Sequence, residues 1–79
     1  MALSARVTAM TLPFTNDIRT LRFLNGEMTQ GDLGERVGVT RQTIAAIEQG
    51  RYSPSLEVAF RIAAVLDKPL EEVFVWHGG

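Results

Sequence analysis

Residues 29–50 read TQGDLGERVGVTRQTIAAIEQG, and this stretch decides the fold. Thr29 is a good helix N-cap, and Asp32 three positions later predicts a reciprocal capping box. Gly38 is a typical helix end, because glycine readily adopts the left-handed conformation that follows many helices. Thr40 then caps a second short helix almost at once. So tight a connection predicts two short helices that cross at a steep angle, a helix-turn-helix.

The second of these helices is predicted from Arg41 to Gln49, with Gly50 closing it, and its outward face carries Arg41, Gln42 and Ala46. In the major groove an arginine can bond guanine and a glutamine can bond adenine. Small alanine side chains let a helix approach the bases closely. Taken alone, Arg41 and Gln42 are better explained as an ordinary solvated face. The DNA-binding hypothesis therefore depends on the spacing of the whole stretch.

Two glycines lie inside the first short helix, and each costs about 1 kcal/mol relative to alanine. We expect Gly34 to permit the close approach of another helix. The sequence offers no such compensation for Gly31.

A helix is also predicted before residue 29, starting at the caps Asn16 and Asp17 and stopping at Asn25-Gly26. Its expected apolar face consists of Ile18, Leu21 and Leu24. Residues 1–15 are predicted to be an N-terminal extension, either disordered or a short strand, since residues 6–12 alternate in polarity. The domain itself is predicted over residues 16–77.

The C-terminal part predicts a longer helix over about residues 56–66 that is apolar on nearly all sides. Such a helix is expected to be buried all round, which one small domain cannot achieve without a partner subunit. Pro69 favours the first turn of a short fifth helix. Residues 73–76 then read as a short strand.

Composition narrows the class of protein. A chain of 79 residues has room for one domain. It has no cysteine and one histidine, His77, so we expect no zinc site and no catalytic histidine relay. No paired acid/base residues, glycine-rich phosphate loop or nucleophile elbow is recognisable, so we expect no cofactor and no enzymatic activity. The net charge of −1 and the pI near 5.7 are unusual for a nucleic-acid-binding domain. No signal peptide or membrane span is recognisable, which predicts a cytoplasmic protein without a membrane partner.

Most of the chain, about residues 16–77, resembles the lambda-repressor-like, Cro/cI-type regulators, also called the xenobiotic-response-element family. The resemblance is carried by Leu21-Arg22, Met28-Thr29-Gln30, Leu33, residues 37–44, Ile47-Glu48, Gly50 and Pro54-Ser55-Leu56. From Pro54 onward the sequence is most similar to the small homodimeric repressor of the cytolysin operon. That group implies an all-α, five-helix domain whose chain ends form a two-stranded antiparallel sheet.

The resemblance also implies a role for individual residues. Those expected to read bases are Arg41, Gln42 and Ala46. Those expected to bind backbone phosphates are Gln30, Thr40, Thr43 and Arg51. An ion pair between Arg22 and Glu48 is expected to tie the first helix to the end of the reading helix.

At the level of function, the resemblance implies sequence-specific binding of double-stranded DNA by a homodimer, at an inverted-repeat operator. The regulator would act as a repressor that occupies its promoter, without a small-molecule effector. The residues expected at the dimer interface are Ile62, Phe74, Val75 and Trp76. The alternative is a protein-interaction module such as an antitoxin or an accessory subunit, which the acidic pI favours.

Overall fold

The structure, a computed structural model, describes residues 12–78. Within that range, the predicted five helices and small antiparallel sheet are confirmed. The elements in chain order are β1 (Phe14–Asn16), α1 (Ile18–Leu24), α2 (Gln30–Val37), α3 (Arg41–Glu48), α4 (Leu56–Leu66), α5 (Leu70–Val73) and β2 (Phe74–Trp76). None of the helices in the described part is long and apolar enough to span a bilayer.

The core receives side chains from all five helices. Its fully buried members are Ile18, Leu33, Val37, Ile44, Ile47, Ile62, Leu66 and Val73. Full burial of each such side chain contributes about 1.5–3 kcal/mol to the stability of the fold. Because Ile44 and Ile47 anchor α3 from its inner side, the opposite side of that helix must face outward.

The predicted apolar face of α1 is only partly right. Ile18 and Leu21 are buried, but the side chain of Leu24 is 69% exposed. With 3.6 residues per turn, Leu24 is rotated by about 90° from the midpoint of the other two. Buried Met28, from the following loop, packs into the core instead.

Within the single chain α4 is buried on one side only, so the predicted burial on all sides would require a partner subunit. The inner side of α4 consists of Ala59, Ile62, Ala63 and Leu66, whereas Leu56 and Phe60 are exposed. Ile62, predicted at the dimer interface, has a relative exposure of 0%. It therefore belongs to the chain's own core and has no surface for a partner to contact.

The sheet joins the two ends of the domain. Phe14 pairs with Trp76 and Asn16 with Phe74 in antiparallel register. The rings of Phe14 and Phe74 meet edge to face, with centroids 6.0 Å apart. The main-chain nitrogen of His77 donates to the carbonyl oxygen of Pro13 at 2.7 Å, which extends the pairing beyond β2.

The N-terminal strand differs from the predicted one. Of the alternating residues 6–12, only Leu12 lies in the described part of the chain, and it belongs to no strand. The strand β1 instead begins at Phe14, two residues before the predicted domain start. A three-residue strand is too short to show alternation. Its pairing partner also lies at the other end of the chain, so local sequence could not reveal it.

Candidate nucleic-acid interface

The N-terminus of α2 carries the predicted capping box. The Thr29 hydroxyl oxygen accepts a hydrogen bond from the main-chain nitrogen of Asp32 at 2.9 Å. The main-chain nitrogen of Thr29 in turn donates to the Asp32 carboxylate at 3.2 Å. Two of the otherwise unsatisfied donors at this helix end are thus satisfied, which fixes where α2 begins.

The turn between α2 and α3 depends on two glycines. Gly38 ends α2 with a φ of 87°, in the left-handed region that favours glycine. At Gly34 a Cβ atom would lie 2.7 Å from the carbonyl oxygen of Val39, closer than the two atoms can approach. The close approach at Gly34 is therefore to the turn backbone and to Thr40, the N-cap residue of α3, whose carbonyl carbon and oxygen would lie 3.2 Å from the added Cβ.

The first turn of α3 presents two hydroxyl groups beside free main-chain donors. The Thr40 hydroxyl accepts from the main-chain nitrogen of Thr43 at 3.1 Å, and the two hydroxyl oxygens lie 3.0 Å apart. Unsatisfied N–H groups and the positive end of the helix dipole favour an anion at such a terminus. The predicted phosphate-binding pair, Thr40 and Thr43, therefore lies together at one helix end.

The predicted base-reading residues share the outward face of α3. Arg41 and Gln42 are exposed and Ala46 is half-buried, while Ile44 and Ile47 on the opposite face are fully buried. The helix consequently presents two polar side chains from its first turn and a small one from its second. The hydrogen-bonding groups of Arg41 and Gln42 are therefore accessible at the start of α3. The next of these residues on the same face, Ala46, has only a small side chain.

A polar cluster fixes α3 from the side of α1. Arg22 Nε donates to Glu48 Oε2 at 2.6 Å, and Arg22 Nη2 donates to Glu48 Oε1 at 3.1 Å. The Arg22 guanidinium also donates to the Met28 carbonyl at 2.8 Å. Gln30 Nε2 donates to Glu48 Oε1 at 3.1 Å. Four parts of the chain (α1, its following loop, α2 and α3) are joined by this one carboxylate–guanidinium pair.

The far end of α3 leads into a shallow cleft of about 350 Å³. Its lining residues are Gln42, Thr43, Ala46, Arg51 and Tyr52. Arg51 was predicted as a phosphate-binding residue. Its exposed neighbour Tyr52, which lines the same cleft, was not among the predicted site residues. The available signal was an aromatic residue with a hydroxyl group directly after that arginine.

Two arginines near α3 belong to no ion pair in the described part of the chain. Among residues 12–78, ion pairs within 4.0 Å join only Arg22 to Glu48 and Arg61 to Glu57. Arg41 and Arg51 belong to neither pair. These two arginines are therefore free to pair with an anion, although the whole chain has a net charge of −1.

A second surface, on the side of the sheet, is apolar. It is a groove of about 410 Å³, which we call the C-terminal groove, lined by Phe14, Ser53, Pro54, Leu56, Ala59, Leu70, Phe74 and Trp76. Of the residues predicted at a dimer interface, Phe74 is half-buried, Val75 is exposed and Trp76 is 66% exposed. Exposed apolar side chains concentrated in this way are typical of a protein–protein contact.

Comparison with known proteins agrees with this architecture. Residues 18–73 match the helix-turn-helix family. An uncharacterized HTH-type transcriptional regulator of Methanocaldococcus jannaschii is 44% identical over 62 residues, which cover 78% of this chain and 92% of that protein. A second, from Methanothermobacter thermautotrophicus, is 59% identical over 49 residues, or 61% of this chain and 71% of its own length. The uncharacterized HTH-type transcriptional regulator YgzD of Bacillus subtilis is 49% identical over 59 residues, or 75% and 88% of the two chains. The chain therefore belongs to the Cro/cI-like helix-turn-helix family.

Proposed function

We propose that this protein binds double-stranded DNA in a sequence-specific manner and regulates transcription. The observation that carries the proposal is the first turn of α3, where exposed Arg41 and Gln42 project from a helix whose other side is anchored in the core. The relatives described above are named transcriptional regulators, which supports the same function.

In this proposal Arg41 and Gln42 select bases from the major groove, with guanine and adenine as their preferred partners. Ala46 allows close approach and offers a methyl contact to thymine. Thr40, Thr43 and Arg51 position the helix by binding backbone phosphates, which fix register but carry no sequence information.

Gln30 has a double role in the proposal. One N–H of its amide donates to Glu48, which holds the side chain beside α3. An amide nitrogen has two N–H groups, so the second remains for a DNA phosphate. The residue then connects the DNA backbone to the cluster that orients the reading helix.

We further propose that the protein acts as a homodimer through the C-terminal groove, which includes exposed Leu56 and Trp76, and through the exposed residues Phe60 and Val75. Two reading helices would then enter successive major grooves about 34 Å apart, so the operator is an inverted repeat. The pairing of β1 with β2 supports the likeness to the small cytolysin-operon repressors. Repression by promoter occupancy is the simplest mode of action for such a dimer.

Selection of bound sites from random duplex DNA tests these proposals together. The expected result is an enriched inverted repeat with half-site centres one helical turn apart, and binding that weakens steeply as salt concentration rises. A protein-interaction module such as an antitoxin would enrich no sequence above the background. Arg41→Ala provides the matched control, since it should fold normally and enrich a site with one degenerate position in each half.

A further inference from the structure

We propose that the DNA-binding surface extends beyond the helix-turn-helix onto α1, where a cleft binds one sugar–phosphate unit of the DNA backbone through Arg19. The inference rests on the proposed DNA-binding function and adds a contact to it. Arg19 is not part of the base-reading and phosphate-binding set described above, whereas Gln30 and Arg41, which line the same cleft, are part of it.

The cleft lies where α1 meets the start of α2, and we call it the α1–α2 cleft. It has a volume of about 490 Å³. Its lining residues are Arg19, Arg22, Phe23, Glu27, Met28, Thr29, Gln30, Gly31 and Arg41. Because Gln30 and Arg41 belong to the proposed interface, DNA seated on α3 passes the mouth of this cleft. Arg19 and Gln30 also line a neighbouring cleft, together with Asn16, Arg22, Glu48 and Gln49, so the two residues share two clefts.

The charges in the cleft favour an anion. Arg22 is neutralised by its pair with Glu48. Arg19 is exposed and, within residues 12–78, has no carboxylate within 4.0 Å. Arg19 and Arg41 together carry two positive charges against the single negative charge of Glu27. A backbone phosphate next to Gln30 would replace the missing counter-charge.

The cleft also has an apolar wall that a free phosphate would not use. Phe23 lies one helical turn after Arg19, and the residue is 64% exposed. A phosphate alone needs only donors and positive charge. A nucleotide backbone presents an anionic phosphate next to an apolar deoxyribose face, which matches an arginine beside an exposed aromatic ring. This pairing of chemistry identifies DNA backbone as the ligand.

The first test compares the salt dependence of operator binding by the full chain and three variants: Arg19→Gln, Arg19→Lys and Lys68→Gln. Each phosphate contact contributes a slope of about 0.9 in a plot of log affinity against log salt. Arg19→Gln should lower the slope by about 1.8 for a dimer that binds two half-sites. Arg19→Lys keeps the charge and should keep most of the slope. Lys68→Gln removes an equal charge from an exposed position that lines neither cleft and should change the slope little.

The second test locates the contact by replacing single operator phosphates with neutral methylphosphonate. The expected result is one position in each half-site where the wild-type protein loses affinity and Arg19→Gln loses none. Three results would overturn the inference. The slope for Arg19→Gln could be unchanged, or Lys68→Gln could lower the slope as much as Arg19→Gln does. The third is that every methylphosphonate position that weakens binding of the wild type weakens binding of Arg19→Gln equally. Failure of the proposed function itself would look different, since the wild-type chain would then bind no duplex with a salt-dependent affinity.

Discussion

The Nε atom of Arg22 lies 2.6 Å from Oε2 of Glu48, and the pair joins α1 to the last residue of α3. The two side chains are only 14% and 8% exposed. A second hydrogen bond, from Nη2 to Oε1, makes the contact bidentate. Two parallel bonds fix the relative orientation of the partners as well as their distance. The direction in which α3 projects from the domain is therefore set in part by a residue outside the helix-turn-helix.

Replacing Arg22 by Met should reduce the free energy of unfolding by about 3–5 kcal/mol, because Glu48 would keep a buried charge without its partner. Urea denaturation followed by circular dichroism measures the loss. Arg61→Met is the matched control, because its pair with Glu57 is exposed and is worth about 0–1 kcal/mol. Equal losses for the two variants would contradict the structural role of the Arg22–Glu48 pair.

Gly34→Ala should destabilise the protein by about 1–3 kcal/mol, because the new methyl group would push against the backbone of the turn after α2. Gly31→Ala, in the same helix, should have the opposite effect. Its Cβ would meet nothing closer than 3.8 Å, so the gain in helix propensity, about 0.5–1 kcal/mol, remains. Thermal unfolding of both variants measures the change in stability. If Gly34→Ala and Gly31→Ala change the stability in the same direction, the close contact at Gly34 is contradicted.

Arg41→Ala should reduce discrimination at one base pair of each half-site by about 1–3 kcal/mol while leaving stability nearly unchanged. Arg41 is exposed and belongs to no ion pair within the described residues, so its loss leaves no buried partner. Fluorescence anisotropy with the selected operator and its single-base variants gives the discrimination directly. If the variant rejects wrong bases as well as the wild type does, Arg41 does not read them.

Trp76→Asp should convert the proposed dimer to a monomer, because a charge would replace the most exposed aromatic residue, which lines the C-terminal groove. Leu24→Asp is the control, since Leu24 is just as exposed and lines none of the clefts described above. Light scattering at several concentrations measures the mass. A Trp76→Asp protein that keeps the wild-type mass would place any dimer contact elsewhere.

Local signals predicted the helix-turn-helix well. The caps at Thr29 and Thr40 and the stop at Gly38 each depend on hydrogen bonds or a backbone conformation within a few residues. Such features are readable from sequence because they need no distant partner. The Arg22–Glu48 contact came only from the family resemblance, since 26 residues separate the pair.

The mistaken expectations have a common cause. An apolar helix such as α4 has two sides of similar hydrophobicity, and which side is buried depends on where the other helices pack. Ile62 packs into the core, whereas Leu56 and Phe60 are exposed. Tyr52 and Phe23 were missed for a related reason, because their neighbours in the clefts come from other parts of the chain.

The pairing of the chain ends has a kinetic consequence. Thr15 contacts His77, 62 residues later, whereas α2 and α3 are neighbours in sequence. The entropy lost on closing a loop grows with its length, so the helices can associate early and the two strands meet late. Phe14 and Trp76 line the C-terminal groove only once that pairing exists. Subunit association would then be the last step of folding, and a nascent chain would stay monomeric until its final strand had been synthesised.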